Sequence, residues 1–218
     1  MNYFPSEAFI ENSINMFVFL TKVPSEVGVA FSGGVDSLAV AHFLQRGKRK
    51  VTLYHFNHMD QYSNKIETQC RELAEKLKMP IIVSYFDDTI KKGESVENVW
   101  RKARYRFLRS YDQKIITAHH ISDAVETWVW SCMHGEGKLI PVETGNIIRP
   151  FLTTEKSTFE KYCKNNNLDI VEDEMNKDLH VMRNYMRENI MHHIYHINPG
   201  LKKVIRKKYN ELKKEERL

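Results

Sequence analysis

Six residues, Ser32-Gly33-Gly34-Val35-Asp36-Ser37, stand between a short apolar run rich in valine and a helical pattern from Leu38 to Gln45. Paired glycines let a backbone turn tightly and come close to a ligand. Free N–H groups at a helix start then face that ligand, with the positive end of the helix dipole behind them. Ser32 and Ser37 add hydroxyl donors, so Ser32, Gly33, Gly34, Val35, Asp36 and Ser37 together read as a phosphate cradle. No Lys follows the glycines, so the pattern is not the Walker type. Asp36 suits an anion site only if it holds a metal ion such as magnesium, which bridges carboxylate and phosphate. The other reading is a plain turn in which Ser32 or Asp36 caps the helix.

Other pairs have chemical spacing. Asp123 and Glu126 are three apart at the start of an apparent helix and share one face, which Trp130 and His134 continue. Two carboxylates beside a phosphate loop suit either magnesium or an amino-acid ammonium. The opposite face (Val125, Trp128, Val129, Cys132) reads as core. Trp130 suits either stacking on a base or packing under a loop, the second being the commoner fate. Arg101 and Arg104, also three apart, suit phosphates, and surface salt bridges are the alternative. His55, His58, His119 and His120 fall at strand ends. Zinc is disfavoured there, because no cysteine joins them, and polar strand-end histidines are the plainer reading.

These residues need elements to carry them. Glu26 to Phe31, Lys50 to Phe56, Pro80 to Phe86 and Lys114 to Ala118 read as buried strands. Between them Ile66, Cys70, Leu73, Ala74 and Leu77 recur at helical spacing, and so do Val96, Val99, Trp100, Ala103 and Phe107. Strands separated by such helices imply parallel pairing with right-handed crossovers. The expected class is a doubly wound α/β sheet, which binds ligands beyond the carboxyl ends of its strands. Gly135 to Gly145 reads as a loop, and Asn165 to Asn167 breaks a helical pattern. From about Asn184 the chain reads as helices (Met186, Ile190, Ile194, Ile197, then Leu201, Val204, Ile205, Leu212), split at Pro199-Gly200. We therefore expect an α/β domain over 1–150 and a helical C-terminal region with a basic tail over 151–218.

The whole chain of 218 residues has a formal net charge of +5, with 42% hydrophobic and 28% charged residues. Those fractions exclude a collagenous or wholly disordered chain. The segment from Leu201 to Leu218 alone carries a net +5, so the rest is close to neutral and the basic excess sits in the tail. Such a tail suits an anionic partner, or an ordinary solvated helix. No stretch approaches the ~18 apolar residues of a membrane span, so no membrane role is expected. The apolar run from Met16 to Leu20 follows no Lys or Arg, unlike a secretory leader. Three unpaired cysteines point to a reducing, cytoplasmic compartment.

Ser-Gly-Gly-Val-Asp-Ser after a strand resembles the signature of the PP-loop, or N-type, ATP pyrophosphatases, which cleave ATP to AMP and pyrophosphate while adenylating a substrate. Within that group the chain resembles the tRNA(Ile)-lysidine synthetases. His55-Phe56-Asn57-His58 is similar to their H-x-N-H. The stretch from Glu97 to Tyr105 resembles E-x-x-A-R-x-x-R-Y, and that from Thr117 to Thr127 resembles A-H-H-x-D-D-Q-x-E-T. Gly135 to Lys138 with Arg149-Pro150-Phe151-Leu152 resembles G-x-G-x and R-P-L-L. Glu172-Asp173 with Asn176 resembles E-D-x-x-N, and Arg183-Asn184 with Arg187 resembles R-N-x-x-R. These motifs run in family order from about Glu26 to Met191. Departures are Ser122 for the first of two acids, Ala124 for Gln, Met59-Asp60 for Gly-Leu-Arg, and Trp100 for Ala.

The resemblance implies a Rossmann-like PP-loop fold and a two-step reaction. ATP with Mg2+ would adenylate the C2 oxygen of the wobble cytidine in a CAU-anticodon tRNA, releasing pyrophosphate. The ε-amine of L-lysine would then attack C2 and AMP would leave, a carboxylate serving as base. It implies nucleotide contacts at Ser32 to Ser37, His55, Asn57 and His119, and magnesium at Asp36. Asp123 and Glu126 would orient lysine, while Arg101, Arg104 and Arg187 would meet phosphates or tRNA. The basic helices from Arg183 would touch the tRNA backbone. The chain ends before the family's C-terminal tRNA-gripping domains, so a minimal form is expected, and a homodimer is one way to replace them. Three alternatives stay open: a tRNA thiolase, a ligase for another substrate, and a nucleotide- or RNA-binding protein that has lost catalysis at Ser122.

Overall fold

The β-branched runs and the amphipathic stretches between them build one α/β layer structure. The structure, a computed structural model, describes residues 17–171 and 182–215. Its strands are β1 (Glu26–Ala30), β2 (Lys50–Asn57), β3 (Ile81–Tyr85), β4 (Ile115–Ile116), β5 (Glu143–Thr144) and β6 (Ile147–Ile148). They form a six-stranded sheet in the order β3-β2-β1-β4-β6-β5. All neighbouring pairs are parallel except the β5–β6 hairpin. β1 is central, with Val29 opposite Leu53 on one side and Ile116 on the other. The helices are α1 (Val35–Arg46), α2 (Ser63–Lys76), α3 (Val96–Arg109), α4 (Ile121–Met133) and α5 (Lys156–Asn165). After the second described segment begins come α6 (Met182–Tyr185), a wide π turn (Met186–Ile190), α7 (Met191–Ile197) and α8 (Leu201–Glu215).

The doubly wound class expected from the sequence is what the chain adopts. From β1 the chain steps outward to β2 and β3, then crosses back past β1 to β4. That reversal leaves a crevice between the carboxyl ends of β1 and β4, the place where open α/β sheets bind ligands. Covering both faces makes three apolar cores. One lies under α1, α2 and α5, with Val29, Leu38, Leu44, Cys70, Phe151, Phe159 and Tyr162. Another lies under α3, with Tyr54, Phe56, Ala103, Phe107 and Ile115. The third joins α4 to the C-terminal helices through Val125, Leu152, Met186, Met191, Ile205 and Tyr209.

Several local expectations change. α1 starts at Val35, three residues earlier than the apolar pattern suggests. β3 is only half-buried, because it is an edge strand. The loop read over Gly135 to Gly145 ends in the β5–β6 hairpin, anchored where Asn146 Nδ2 donates to the carbonyls of Leu108 and Tyr111, at 2.8 Å each. Cys132 lies exposed instead of in the core. Ile197, placed on an apolar face by its spacing, is 79% exposed, because α7 ends there and the chain turns at Pro199-Gly200.

Candidate active site

The loop between β1 and α1 is shaped by two glycines with different duties. Gly33 has φ +75°, and a Cβ there would lie 2.8 Å from Val171 Cγ2 and 3.1 Å from Cys70 Sγ. Gly34 is extended (φ −66°, ψ 163°) and is the N-cap of α1 with no side-chain cap, so neither Ser32 nor Asp36 caps the helix. A Cβ on Gly34 would touch only Ser32 Oγ, at 3.4 Å, so the space before the helix N–H groups is open. Ser37 Oγ accepts from Ser32 N (3.2 Å) and donates to Gly34 O (3.1 Å), which holds the loop's curvature. An open helix start with adjacent hydroxyls fits an oligophosphate.

Asp36 opens into the same crevice. Its Oδ1 is buried and has no hydrogen-bond partner. Burial, then the neighbouring Asp123 carboxylate, pushes its carboxyl up to about 7. An orphaned carboxylate oxygen next to a second acid calls for a cation. Among the described residues no group of three or more His, Cys, Asp or Glu is placed to hold a metal. The donor set therefore fits magnesium, which takes one or two carboxylates and completes its shell with substrate phosphates and water.

The start of α4 supplies the facing wall. His120 is its N-cap: His120 Nδ1 accepts from Asp123 N (3.4 Å), and His120 N donates to Asp123 Oδ2 (2.8 Å). With Nδ1 accepting, the ring proton belongs on Nε2, which lies 3.8 Å from Asp36 Oδ2. Burial, then Lys156, lowers the His120 imidazole to about 4, so the ring is neutral. One turn on, Glu126 receives a bidentate fork from Arg187, Nε to Oε1 at 3.1 Å and a terminal nitrogen to Oε2 at 2.8 Å. The same guanidinium lies 3.6 Å from Asp123 Oδ1. The π turn thus brings Arg187 across to both acids, and Asp36, Asp123, Glu126 and Arg187 form one cluster. Trp130 packs in the third core and meets His134, their ring centres 4.8 Å apart.

At the end of β2 the expected nucleotide residues divide. His55 is buried; its Nδ1 donates to Phe31 O (2.9 Å), just before the loop, and its Nε2 is left without a partner. Asn57 is occupied by the protein itself. Its amide donates to Glu67 Oε2 (2.8 Å) and to Asn64 Oδ1 (3.2 Å), and its Oδ1 accepts from Met59 N (2.8 Å). Glu67, mid-helix in α2, also accepts from Arg71 Nε (2.8 Å) and Tyr85 Oη (3.0 Å). Nothing in the sequence around Glu67 marks this network.

α3 carries the cationic wall. The guanidinium carbons of Arg101 and Arg104 lie 5.4 and 5.8 Å from the Tyr105 ring centre, and neither arginine forms an ion pair with a described residue. Behind them Arg149, only 5% exposed, donates to Tyr105 Oη (3.3 Å) and Pro141 O (2.9 Å) while its Nε is unpartnered. A buried guanidinium that forms no ion pair with a described residue adds positive charge to this wall. His119 stands beside it, paired with Thr117 Oγ1 (2.8 Å) and held neutral by burial and by Arg149. Arg149 and Tyr105 were visible in the sequence only as parts of matched motifs. Glu172, Asp173 and Asn176 lie outside the described residues.

Comparison with known proteins gives the family and the fold. The PP-loop domain family profile matches residues 6–194. The tRNA(Ile)-lysidine synthase of Coxiella burnetii is 29% identical over 84% of this chain and 44% of its own. That of Thermotoga maritima is 31% identical over 81% of this chain and 47% of its own. The chain thus spans less than half the length of these relatives. An NH3-dependent NAD synthetase from Campylobacter jejuni has the same fold, with a TM-score of 0.51, 14% identity, and coverage of 94% of this chain and 90% of that one.

Proposed function

The chain belongs to the PP-loop domain family, and from that premise we propose that it is an ATP-dependent ligase that forms lysidine in tRNA. One observation carries the reading: the unpartnered Oδ1 of Asp36 and the Glu126–Arg187 pair face one crevice beside an open phosphate loop. Relatives named tRNA(Ile)-lysidine synthase support the choice of substrate.

In this reading Ser32 to Ser37 and the α1 N–H groups bind the ATP phosphates, and His55 and His119 lie against the nucleotide. Asp36, with Asp123 beside it, would hold a magnesium ion, which when bound would supply positive charge to the phosphates. The activated group is the C2 oxygen of the wobble cytidine in a CAU anticodon, and pyrophosphate departs. Glu126 and Asp123 take the ammonium end of lysine after Arg187 lets go. One of them accepts the proton that frees the ε-amine to attack C2, and AMP leaves. Arg101 and Arg104 meet RNA phosphates, and the basic C-terminal helices follow the tRNA backbone with salt-dependent affinity. A cytoplasmic setting fits a tRNA substrate, and no helix among the described residues is long and apolar enough to cross a membrane. A homodimer remains part of the proposal as a way to widen the tRNA surface.

The test is incorporation of labelled lysine into tRNA with ATP and magnesium, with AMP release followed in parallel. Lysine incorporation dependent on a CAU anticodon is the expected result. AMP release with no lysine transfer would keep the ATP chemistry and remove lysine as its acceptor. Silence in both assays from folded protein would sink the ligase reading.

A further inference from the structure

At the carboxyl end of β2 three rings follow one another. Phe56 lies 5.2 Å from His58 between ring centres, edge to face, and His58 lies 5.0 Å from Trp100, tilted by 37°. Trp100 belongs to the first turns of α3 and is half-buried, and its indole N–H meets no acceptor among the described residues. A buried tryptophan usually pairs that N–H with the protein, whereas this indole keeps part of its ring and its N–H open to solvent. His58 adds no charge, since burial and then Arg104 lower it to about 4. It serves as a neutral aromatic base under the indole.

Two cations follow Trp100 on α3, and Glu97 acts on both from a distance. Arg101 and Arg104 make no ion pair with a described residue. Glu97, an acid one turn back, is turned toward Arg183 at 3.7 Å. Met59, beside His58, is 57% exposed and adds apolar surface. An indole backed by a ring stack, next to two guanidiniums that form no ion pair with a described residue, is the chemistry that receives a nucleotide, base on ring and phosphate on arginine. An acidic protein surface would use the guanidiniums and leave the indole unexplained, and a purely apolar partner would strand both cations.

We propose that Trp100 is a base-stacking residue for an unpaired nucleotide of an RNA substrate, with Arg101 and Arg104 taking the adjoining phosphates. The inference rests on the RNA substrate proposed above, and it adds a specificity residue at a position where this sequence departs from the E-x-x-A-R-x-x-R-Y pattern. Stacking favours looped-out over paired bases, because only an unstacked base offers a free face.

The experiment measures binding of a short hairpin RNA with CAU in its loop, and of a fully paired RNA of equal length. The proteins are the full chain and its Trp100→Ala and Trp100→Phe variants, with folding checked by circular dichroism and thermal melting. ATP affinity is measured separately. Trp100→Ala should weaken loop binding by roughly 5- to 100-fold and leave duplex binding and ATP affinity unchanged. Trp100→Phe should recover most of the loss. Unchanged loop affinity in folded Trp100→Ala would overturn the proposal. So would a loss confined to ATP, which would put adenine on the ring, or an equal loss for both RNAs. Binding needs neither lysine nor turnover. A wild-type protein that binds loops through Trp100 yet transfers no lysine would therefore refute lysidine formation and keep the stacking role.

Discussion

Gly33 and Gly34 sit side by side, yet their substitution should fail in different ways. Alanine at Gly33 must accept φ +75° and a Cβ 2.8 Å from Val171. Strain of that kind costs about 1–3 kcal/mol, so Gly33→Ala should lower the unfolding midpoint. At Gly34 the backbone is extended and the new methyl meets only Ser32 Oγ, so Gly34→Ala should fold normally. Its methyl would fill the space intended for phosphate, and the KM for ATP should rise at least ~10-fold. Equal loss of stability in the two variants would mean that the opening at Gly34 has no functional purpose. Asp36→Asn keeps the shape of the side chain and removes the charge, so turnover should fall by about 10²-fold or more with the melting curve intact. Glu126→Gln keeps one acceptor for Arg187 but loses the charge that would meet an ammonium. The KM for lysine should rise ~10- to 100-fold, with the KM for ATP nearly constant. Steady-state kinetics with each substrate varied in turn separates these outcomes.

At the scale of elements, α8 packs on the body through Leu201, Ile205 and Tyr209, and one carboxylate ties its first turns. Glu155, at the N-cap of α5, accepts from Lys202 Nζ (2.8 Å) and Arg206 (2.6 Å), while Arg206 Nε donates to Thr153 O (3.1 Å). Burial pushes the Glu155 carboxyl up, but the hydrogen bonds from Lys202 and Arg206 outweigh it and leave it below the usual range. A depressed carboxyl contributes stability above its unfolded pKa and loses it as pH falls through the folded one. Exposure of the pair keeps that contribution to ~1 kcal/mol. Glu155→Gln should therefore speed amide exchange in α8 at pH 7 and have little effect near pH 3. The elements also differ in how far the sequence reveals them. β1, β2 and the helices α2 and α3 announce themselves through long periodic runs. β4 falls inside the run read as a strand from Lys114 to Ala118 but keeps only Ile115 and Ile116, while β5 and β6 have two residues each, too few for a period to register, and Asn146 reaching back to α3 anchors their hairpin. The π turn at Met186–Ile190 escapes notice because a one-residue widening leaves the spacing of Met186, Ile190 and Ile194 helical. That turn carries Arg187, so the least legible element positions a residue that the matched motif did reveal. His120 shows the reverse: its place at a strand end is plain, but its capping role needs the backbone of Asp123.

For the molecule as a whole, buried histidines set the response to acid. Burial, with Arg46 adding to it, lowers His42 to about 4, and burial with Arg104 does the same for His58. His55 and His119 are shifted in the same direction. An imidazole whose folded pKa lies below its unfolded 6.5 binds fewer protons when folded. Unfolding then takes up protons, and stability falls as pH drops from about 6.5 toward 4. Asp36 acts oppositely, holding its proton in the fold up to about 7, and burial shifts Asp123 the same way, but these two carboxyls are outnumbered by the histidines. The protein should therefore lose stability steeply below pH 6. His42 sits on α1 and meets Tyr162 of α5, its Nδ1 3.0 Å from the phenol oxygen. Glutamine there keeps a partner for the phenol and never gains a charge. His42→Gln should thus remove about one proton from the uptake on unfolding, with up to roughly 3 kcal/mol less destabilisation by pH 4. Urea unfolding at pH 5 and pH 8 reads this directly. The variant should gain on the wild type at pH 5 relative to pH 8, and a constant gap between them would show that His42 carries its proton in the folded state.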